Sequence, residues 1–242
     1  ANAMIAMNRR AKTEDTDEGV IAADFLNGLG GFTVVPRARA GLWARLARTT
    51  REHLVLTFVP LAFGSLVAVP LGIAAGLLPR LGQVVLAVAG IGQTIPSLAL
   101  LALFVPKLGI GAPPALLALF VYALLPIVRA TQTGVAGVPR SLIESAEAIG
   151  LGWYARVAWV RVPLAMSAIL SGIKTSAVIT VGFATLGAFV GAGGYGEPIL
   201  TGIRRQDVGT ILEGAIPAAC MAIAVQVLFE ILDRIVVPRG LR

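Results

Sequence analysis

Charged residues are scarce in this sequence of 242 residues. Only 14% of the chain is Asp, Glu, Lys or Arg, whereas 57% is apolar or aromatic. A soluble globular domain has about 25% charged and 45–50% apolar residues, so this balance argues against a soluble enzyme. The high hydrophobicity also excludes intrinsic disorder, and glycine without a three-residue period excludes collagen.

The residues that build metal centres and nucleophilic sites are almost missing. Cys220 is the only cysteine and His53 the only histidine, so the sequence predicts no internal disulfide, zinc site or Cys-His pair. The P-loop pattern G-x-x-x-x-G-K-[ST] is absent, and this chain is not expected to hydrolyse ATP itself. Residues 191–196 fit G-x-G-x-x-G, but an apolar run precedes them instead of a strand, so we interpret them as a loop. The sequence predicts no cofactor, no metal and no catalytic residue.

Long apolar runs are abundant instead. Between Leu54 and Val128 the only charged residues are Arg80 and Lys107, and each remaining block can cross about 30 Å of hydrocarbon as a helix. The sequence therefore predicts an all-α, multi-pass integral membrane protein in contact with lipid, with five transmembrane helices at 54–78, 83–105, 112–129, 164–190 and 208–235. The net charge of +7 is not spread over a soluble surface, so no nucleic acid partner is expected.

The first 52 residues differ from the transmembrane region, residues 53–242. They include a polar, mixed-charge stretch from Arg9 to Glu18. Residues 40–53 place Leu42, Trp43 and Leu46 on one helical face, which predicts an amphipathic helix in the membrane interface. An ordinary basic juxtamembrane segment is the alternative. Residues 17–36 contain Asp24, Asn27 and several glycines and are not counted as a span.

The connection between the third and fourth spans, residues 130–163, is too long for a simple turn. Ser141 and Glu144 have the spacing of a capping box at a helix start, and Gly150 is placed to end that helix. After Gly152 a second short helix is predicted to begin at Trp153. Two short helices with a glycine corner would form a compact docking element.

The residues of this connection resemble a known family. Glu144-Ser-Ala-Glu-Ala-Ile-Gly150, nine further residues and Val160-Arg-Val-Pro163 are similar to the EAA loop of binding-protein-dependent ABC importer permeases. Ser145, Val160 and Val162 depart mildly from that pattern. The resemblance implies a type I permease arrangement with a cytoplasmic coupling helix on the ATPase, and it implies coupling roles for Ser141, Glu144, Ala146, Gly150, Val160 and Pro163.

Other stretches resemble the osmoprotectant branch of that family, which imports glycine betaine, carnitine and choline. They begin at Gln93, Pro126, Gly191 and Val237, and the resemblance covers nearly everything after His53. It implies a permease subunit in the bacterial inner membrane. The implied partners are ABC ATPase subunits, a second permease copy or homologous subunit, and an external substrate-binding protein.

Polar and aromatic residues within the predicted spans are candidates for the translocation path. Lys174 lies in the fourth span, and its charge has three possible roles there. It lines the translocation path, it extends to the membrane interface, or it pairs with another residue within the bundle. Gln93, Thr94 and Pro96 lie in the second span. There they either line a pore or hold neighbouring helices together through polar contacts. The candidate path residues are Gln93, Thr94, Pro96, Tyr122, Lys174 and Phe183.

Charge bias and the Glu144 loop give conflicting orientations. Five spans with a cytoplasmic Glu144 loop place the N-terminus outside, together with Arg37, Arg39, Arg45, Arg48 and Arg51, against the positive-inside rule. We assign the orientation from the Glu144 loop, because a loop that couples to an ATPase must face the cytoplasm, where ATP is present. A sixth span within residues 17–36 would remove the conflict.

Two other classes of protein remain as alternatives. An ion-coupled secondary transporter or channel would require an inverted repeat with paired broken helices and buried carboxylates, which this sequence does not show. A non-transporting scaffold would leave the spacing around Glu144 unexplained.

Overall fold

A computed structural model describes residues 5–6, 9, 18–29, 33–35 and 41–237. Most of the polar stretch 9–18, Arg37, Arg39 and residues 238–240 of the C-terminal motif lie outside the described residues. The chain forms two compact units, residues 1–47 and 48–242. The helix bundle described by its packing contacts lies within the second unit.

The described chain is built from helices joined by short connections, as the all-α prediction requires. In chain order they are α1 (Glu18–Gly28), α2 (Leu42–Leu77), α3 (Pro79–Thr94), α4 (Ser97–Leu108), α5 (Ala112–Ala136), α6 (Arg140–Ala148), α7 (Trp153–Val190), α8 (Gly196–Arg205) and α9 (Val208–Val236). Helix α7 is α-helical except for a π-helical turn at Val157–Arg161 and a 3₁₀ end at Thr185–Val190.

Four helices, α2, α5, α7 and α9, are long and apolar enough to cross a membrane. Helices α3 and α4 together make a fifth apolar segment, but they meet at 90°. The prediction of five apolar segments is confirmed, whereas the prediction of one continuous helix at 83–105 is wrong. The reason is Pro96, which forces Ile95 out of the helical region to φ −74° and ψ 126° and has no N–H to continue the ladder.

The start of the first span also differs from the prediction. Helix α2 runs without a break from Leu42 to Leu77, because no glycine or proline precedes Pro60 in it. The amphipathic helix predicted at 40–53 is therefore the first part of a membrane-crossing helix and not a separate interfacial element. Helix α1 has 11 residues, about 16 Å of helix, and is too short to be a sixth span.

Helix α5 lies at the centre of the bundle, with Ile127 and Val128 almost fully buried. Glycines let its neighbours approach closely. A Cβ at Gly72 of α2 would lie 2.5 Å from Thr131 Cβ, and one at Gly172 of α7 would lie 2.6 Å from Ala130 Cβ. Small residues at crossings are the usual means of close packing in membranes, where lipid is as apolar as the side chains.

The two ends of the bundle are built differently. At one end Gly76 of α2 packs against Val135, next to the α5–α7 connection; we call this the loop end. At the other end Gly111 N–H donates to the Val190 carbonyl at 2.7 Å, next to residues 191–196; we call this the glycine end. There Asp207 caps α9 by accepting from Gly209 N–H at 2.9 Å, and a hydrogen bond from the Thr210 side chain lowers the pKa of this carboxyl.

Candidate functional site

The α5–α7 connection is shorter than residues 130–163. Helix α5 continues to Ala136 and α7 begins at Trp153, so the connecting segment is 137–152. The predicted second short helix is wrong as a separate element, because no breaker stands between Trp153 and Arg161 and the chain continues through the π-helical turn into α7. Val160 lies in that turn, and Pro163 follows two residues after it, where it has no N–H to donate to the preceding turn.

The predicted capping box is also wrong. Pro139 occupies the N-cap of α6 and makes no side-chain cap hydrogen bond, so Ser141 is already inside the helix. Its carbonyl accepts a hydrogen bond from Ser145 Oγ at 2.9 Å. The Glu144 carboxylate pairs instead with Arg140 one turn earlier, with Nε and Oε1 3.0 Å apart and both side chains largely exposed. Because the helix starts two residues earlier than predicted, with Pro139 as its N-cap, Ser141 is not at the position that caps the free amides of the first turn.

The predicted end of the helix at Gly150 is confirmed. Gly150 has φ +85°, a left-handed conformation that favours glycine. The next amide, Leu151 N–H, donates back to the Ala146 carbonyl at 3.0 Å, which is the long bond of a Schellman motif. Ala146 is buried, so the helix is held against the bundle by its small face.

An ion pair that the sequence did not reveal joins α6 to α7. Arg156 and Glu147 approach to 2.6 Å, and the Arg156 side chain is only 20% exposed. The pair crosses the Gly150 corner, so it fixes the angle between the two helices. Opposite charges nine residues apart around a glycine corner were its only signal in the sequence.

The α6 side of the loop end exposes large apolar groups. Leu142, Ile149 and Tyr154 are 44%, 76% and 82% exposed, and Trp153 packs edge-on against Tyr154 with ring centroids 4.8 Å apart. Exposed apolar groups on a polar connecting segment are typical of a surface that meets a protein partner or the membrane interface.

Four of the six candidate path residues come together at the break between α3 and α4. Gln93 Nε2 donates to the Tyr122 carbonyl at 2.9 Å, and the Tyr122 hydroxyl donates to the Ile95 carbonyl beside Pro96. Phe183 packs edge-on against Tyr122, with centroids 5.1 Å apart. The break leaves the Ile95 carbonyl outside the helical ladder, and the Tyr122 hydroxyl satisfies it from the neighbouring helix α5.

The break is closed in this conformation. The cavity beside Tyr122 and Phe183 has a volume of about 10 Å³, room for one water molecule. Thr94 does not join the cluster, because its hydroxyl donates to the Ile91 carbonyl of its own helix. Lys174 lies elsewhere, in a larger cavity between α7 and α9.

Comparison with known proteins identifies the family. Residues 68–241 match the family described as "Binding-protein-dependent transport system inner membrane component". The chain belongs to this family. It is 40% identical over 193 residues to the glycine betaine/carnitine/choline transport system permease protein OpuCB of Bacillus subtilis, covering 80% of this chain and 89% of that protein.

A second relative of this permease is the osmoprotectant import permease protein OsmW of Salmonella typhimurium, 36% identical over 202 residues that cover 81% of this chain and 94% of OsmW. Its fold matches a chain of the MetNI methionine ABC transporter in inward facing conformations, with a TM-score of 0.73 and 24% identity, covering 84% of this chain and all of that one. The resemblance to ABC importer permeases and the type I arrangement are confirmed, as is the location in the membrane. These relatives are named as permeases and not as enzymes.

The permease has a polar cluster at its glycine end that sequence analysis missed. His53 is fully buried, with Nε2 3.0 Å from the Val181 carbonyl and Nδ1 accepting from Tyr195 N–H at 3.3 Å. These partners fix the neutral tautomer with the proton on Nε2. The Tyr195 hydroxyl donates to Thr50 Oγ1 at 2.8 Å, so the loop is tied to α2 at two points.

Carboxylates complete this cluster. Glu52 Oε2 accepts from Gly194 N–H at 2.8 Å, and a Cβ at Gly193 would collide with that carboxylate. Arg48 bridges Glu52 and Glu197 at 3.1 and 3.0 Å. Gly193 and Gly194 therefore allow the backbone of the loop to approach α2 closely. No periodicity pairs residues about 140 positions apart, so only the fold could show these contacts.

Proposed function

We propose that this chain is the membrane-spanning permease subunit of an ATP-driven importer for a small osmoprotectant such as glycine betaine, carnitine or choline. The observation that carries the proposal is the similarity to OpuCB, which extends over 89% of that protein at 40% identity. The ion-coupled alternative is not favoured, because one broken span is present in the described chain where a pair is expected.

Segment 137–152 is proposed as the contact with the ATPase subunits. Helix α6 is held by buried Ala146 and by the Glu147–Arg156 ion pair, while Leu142 and Ile149 stay exposed. This combination suits a rigid knob with an apolar outer face that enters a groove of a partner. ATP hydrolysis would take place in that partner, and the proposed assembly contains two ATPase subunits, a second permease copy and an external binding protein.

Coupling would follow from the rigid connection of α6 to the spans. Closure of the ATPases would move two copies of α6, and the Glu147–Arg156 pair would pass the movement to the base of α7. The π-helical turn with Val160 lies at that base, just before Pro163. Helix α7 packs along α5 and carries Phe183 to the closed break, so its rotation would open the Tyr122 cluster to one side at a time.

The orientation has a direct test in cysteine labelling. In a Cys220→Ala background, a cysteine at exposed Ser145 should react with a membrane-impermeant maleimide only from the cytoplasm, and one at exposed Arg204 only from outside. Right-side-out and inverted vesicles provide the two sides. Labelling of both positions from one side would contradict this topology.

Selectivity is expected to come mainly from the binding protein. Quaternary ammonium groups are held tightly by aromatic cages, and the break offers only Tyr122 and Phe183, already packed on each other. Uptake of labelled glycine betaine, carnitine or choline into vesicles containing permease and ATPase should require the binding protein. Calorimetry on permease and ATPase alone should detect no submicromolar binding. Tight binding by that complex, or uptake of none of the three solutes by the full assembly, would overturn the proposal.

A further inference from the structure

Lys174 lines a polar cavity within the spans of the bundle. This cavity has a volume of about 300 Å³ and lies between α7 and α9, in their halves nearer the loop end. A small-molecule site usually begins at about this size. Its polar lining consists of Ser167, Ser171, Lys174, Glu230, Asp233 and Arg234.

These residues form one polar stripe on each helix. Ser167, Ser171 and Lys174 follow the spacing i, i+4 and i+7, which places them on one face along about 10 Å of α7. Glu230, Asp233 and Arg234 follow i, i+3 and i+4 on α9. Charged side chains at membrane depth face protein or water and not lipid tails. The two stripes face one shared space, which is therefore a wet groove in the inner half of the bundle.

The groove carries both signs of charge and an apolar wall. Two cations and two anions give no net charge, and the buried Phe229 ring also lines the space. Lys174 is half-buried and makes no ion pair with any described residue, whereas Glu230 accepts a hydrogen bond from Gln226 at 3.3 Å. Lys174 is thus a charged donor at membrane depth that is available to an anionic group.

A small zwitterion matches this arrangement. Its carboxylate would accept hydrogen bonds from Lys174, while a quaternary ammonium group, which cannot donate a hydrogen bond, would lie near the Glu230 and Asp233 carboxylates with its methyl groups against Phe229. A zwitterionic phospholipid headgroup such as phosphatidylethanolamine presents the same pair of charges. Because the stripes face a groove between helices, the observations favour a solute in transit.

We propose that the groove between α7 and α9 is a transient binding site for zwitterionic quaternary ammonium solutes in the inner half of the bundle, with Lys174 contacting the carboxylate. The inference rests on the proposed function and assigns a substrate-binding role to Lys174. It separates zwitterions from cations, because choline has the ammonium group but no carboxylate. Glu230 contacts the part that all these solutes share.

The test compares two solutes in the complete assembly of permease, ATPase and binding protein in vesicles. Lys174→Met should reduce the maximal rate of glycine betaine uptake about tenfold, the value of one hydrogen bond to a charged group, and leave choline uptake within about twofold. Lys174→Arg should restore the glycine betaine rate. Glu230→Gln should slow both solutes. The matched control is Lys107→Met, which removes the same charge from an exposed site at the end of α4.

Each outcome decides the proposal. Equal losses for both solutes in Lys174→Met, or no loss, would overturn it while leaving the proposed function intact, provided that the wild type transports either solute. A wild type that transports neither contradicts the proposed function and this inference together. The assay is run in vesicles with and without phosphatidylethanolamine. A Lys174→Met defect that disappears without this lipid would show that the groove holds a headgroup, which also overturns the proposal.

Discussion

Gly150→Val should leave the protein in the membrane and strongly reduce both substrate-stimulated ATP hydrolysis and uptake. Gly150 has φ +85°, and a β-branched residue in this region costs about 1–2 kcal/mol. That strain corresponds to roughly a 5- to 30-fold change in an equilibrium constant. Valine would relieve it by changing how α6 ends, which would turn α6 away from the angle that the Glu147–Arg156 pair maintains. Rates measured in reconstituted vesicles with matched protein content would show the loss.

Gly152 supplies the control in the same corner. It has φ −64°, and a Cβ there would meet open space, so Gly152→Ala should retain near-normal uptake. Wild-type coupling in Gly150→Val, at equal protein content, would contradict the assignment of segment 137–152 as the ATPase contact. An equal loss in both variants would indicate that the segment is sensitive to any substitution and that the left-handed turn is not the cause.

Gly196→Ala should be among the most destabilising single substitutions in the permease. A Cβ at Gly196 would collide with the backbone carbonyl oxygen of Thr185, and a backbone atom cannot move aside as a flexible side chain can. Overpacking of this kind costs about 3 kcal/mol, or roughly 6–12 °C in the unfolding temperature of a chain of this size. Because Gly196 follows the loop held by Glu52 and His53, uptake should fall as well. Thermal unfolding of the purified protein in detergent measures the first effect.

Gly182→Ala is the matched control for this change. Gly182 lies in α7, three residues before the Thr185 that Gly196 contacts, and no atom would lie within 4 Å of a Cβ at Gly182. Alanine is a better helix former than glycine by about 1 kcal/mol, so Gly182→Ala should be neutral or slightly stabilising. An unfolding temperature within 2 °C of wild type for Gly196→Ala, a small shift by the same scale, would contradict the packing at the glycine end.

The apolar segments and the family were predictable from local signals. Hydropathy alone located the spans, because crossing hydrocarbon demands about 20 consecutive apolar residues. The spacing from Glu144 through Gly150 to Pro163 indicated the permease family before any contact was known. Gly150 also ended its helix as predicted, since φ above zero is a local requirement that glycine meets.

Predictions failed where a proline or a continuing helix overrode a local pattern. Ser141 and Glu144 have capping-box spacing, but Pro139 begins the helix earlier and Glu144 pairs with Arg140. Hydropathy could not detect the 90° bend at Pro96, because a broken helix and a continuous one have the same composition. The helix that begins at Trp153 continues into the membrane and is not a short one. The sequence distinguishes these two cases only by the absence of a helix breaker after Trp153, which is a weak signal.

By itself, the sequence determined that this protein is helical, crosses the membrane and carries a glycine-ended segment of the permease type, because each property depends on residues near one another in the chain. The tertiary structure alone decided which polar residues share a site. It brought Gln93 and Tyr122 together beside the break, His53 and Tyr195 together at the glycine end, and Lys174 and Glu230 together in the groove between α7 and α9. Helix packing sets these pairings through the rotation and depth of each helix, and no spacing within one helix encodes the face that its neighbour will meet.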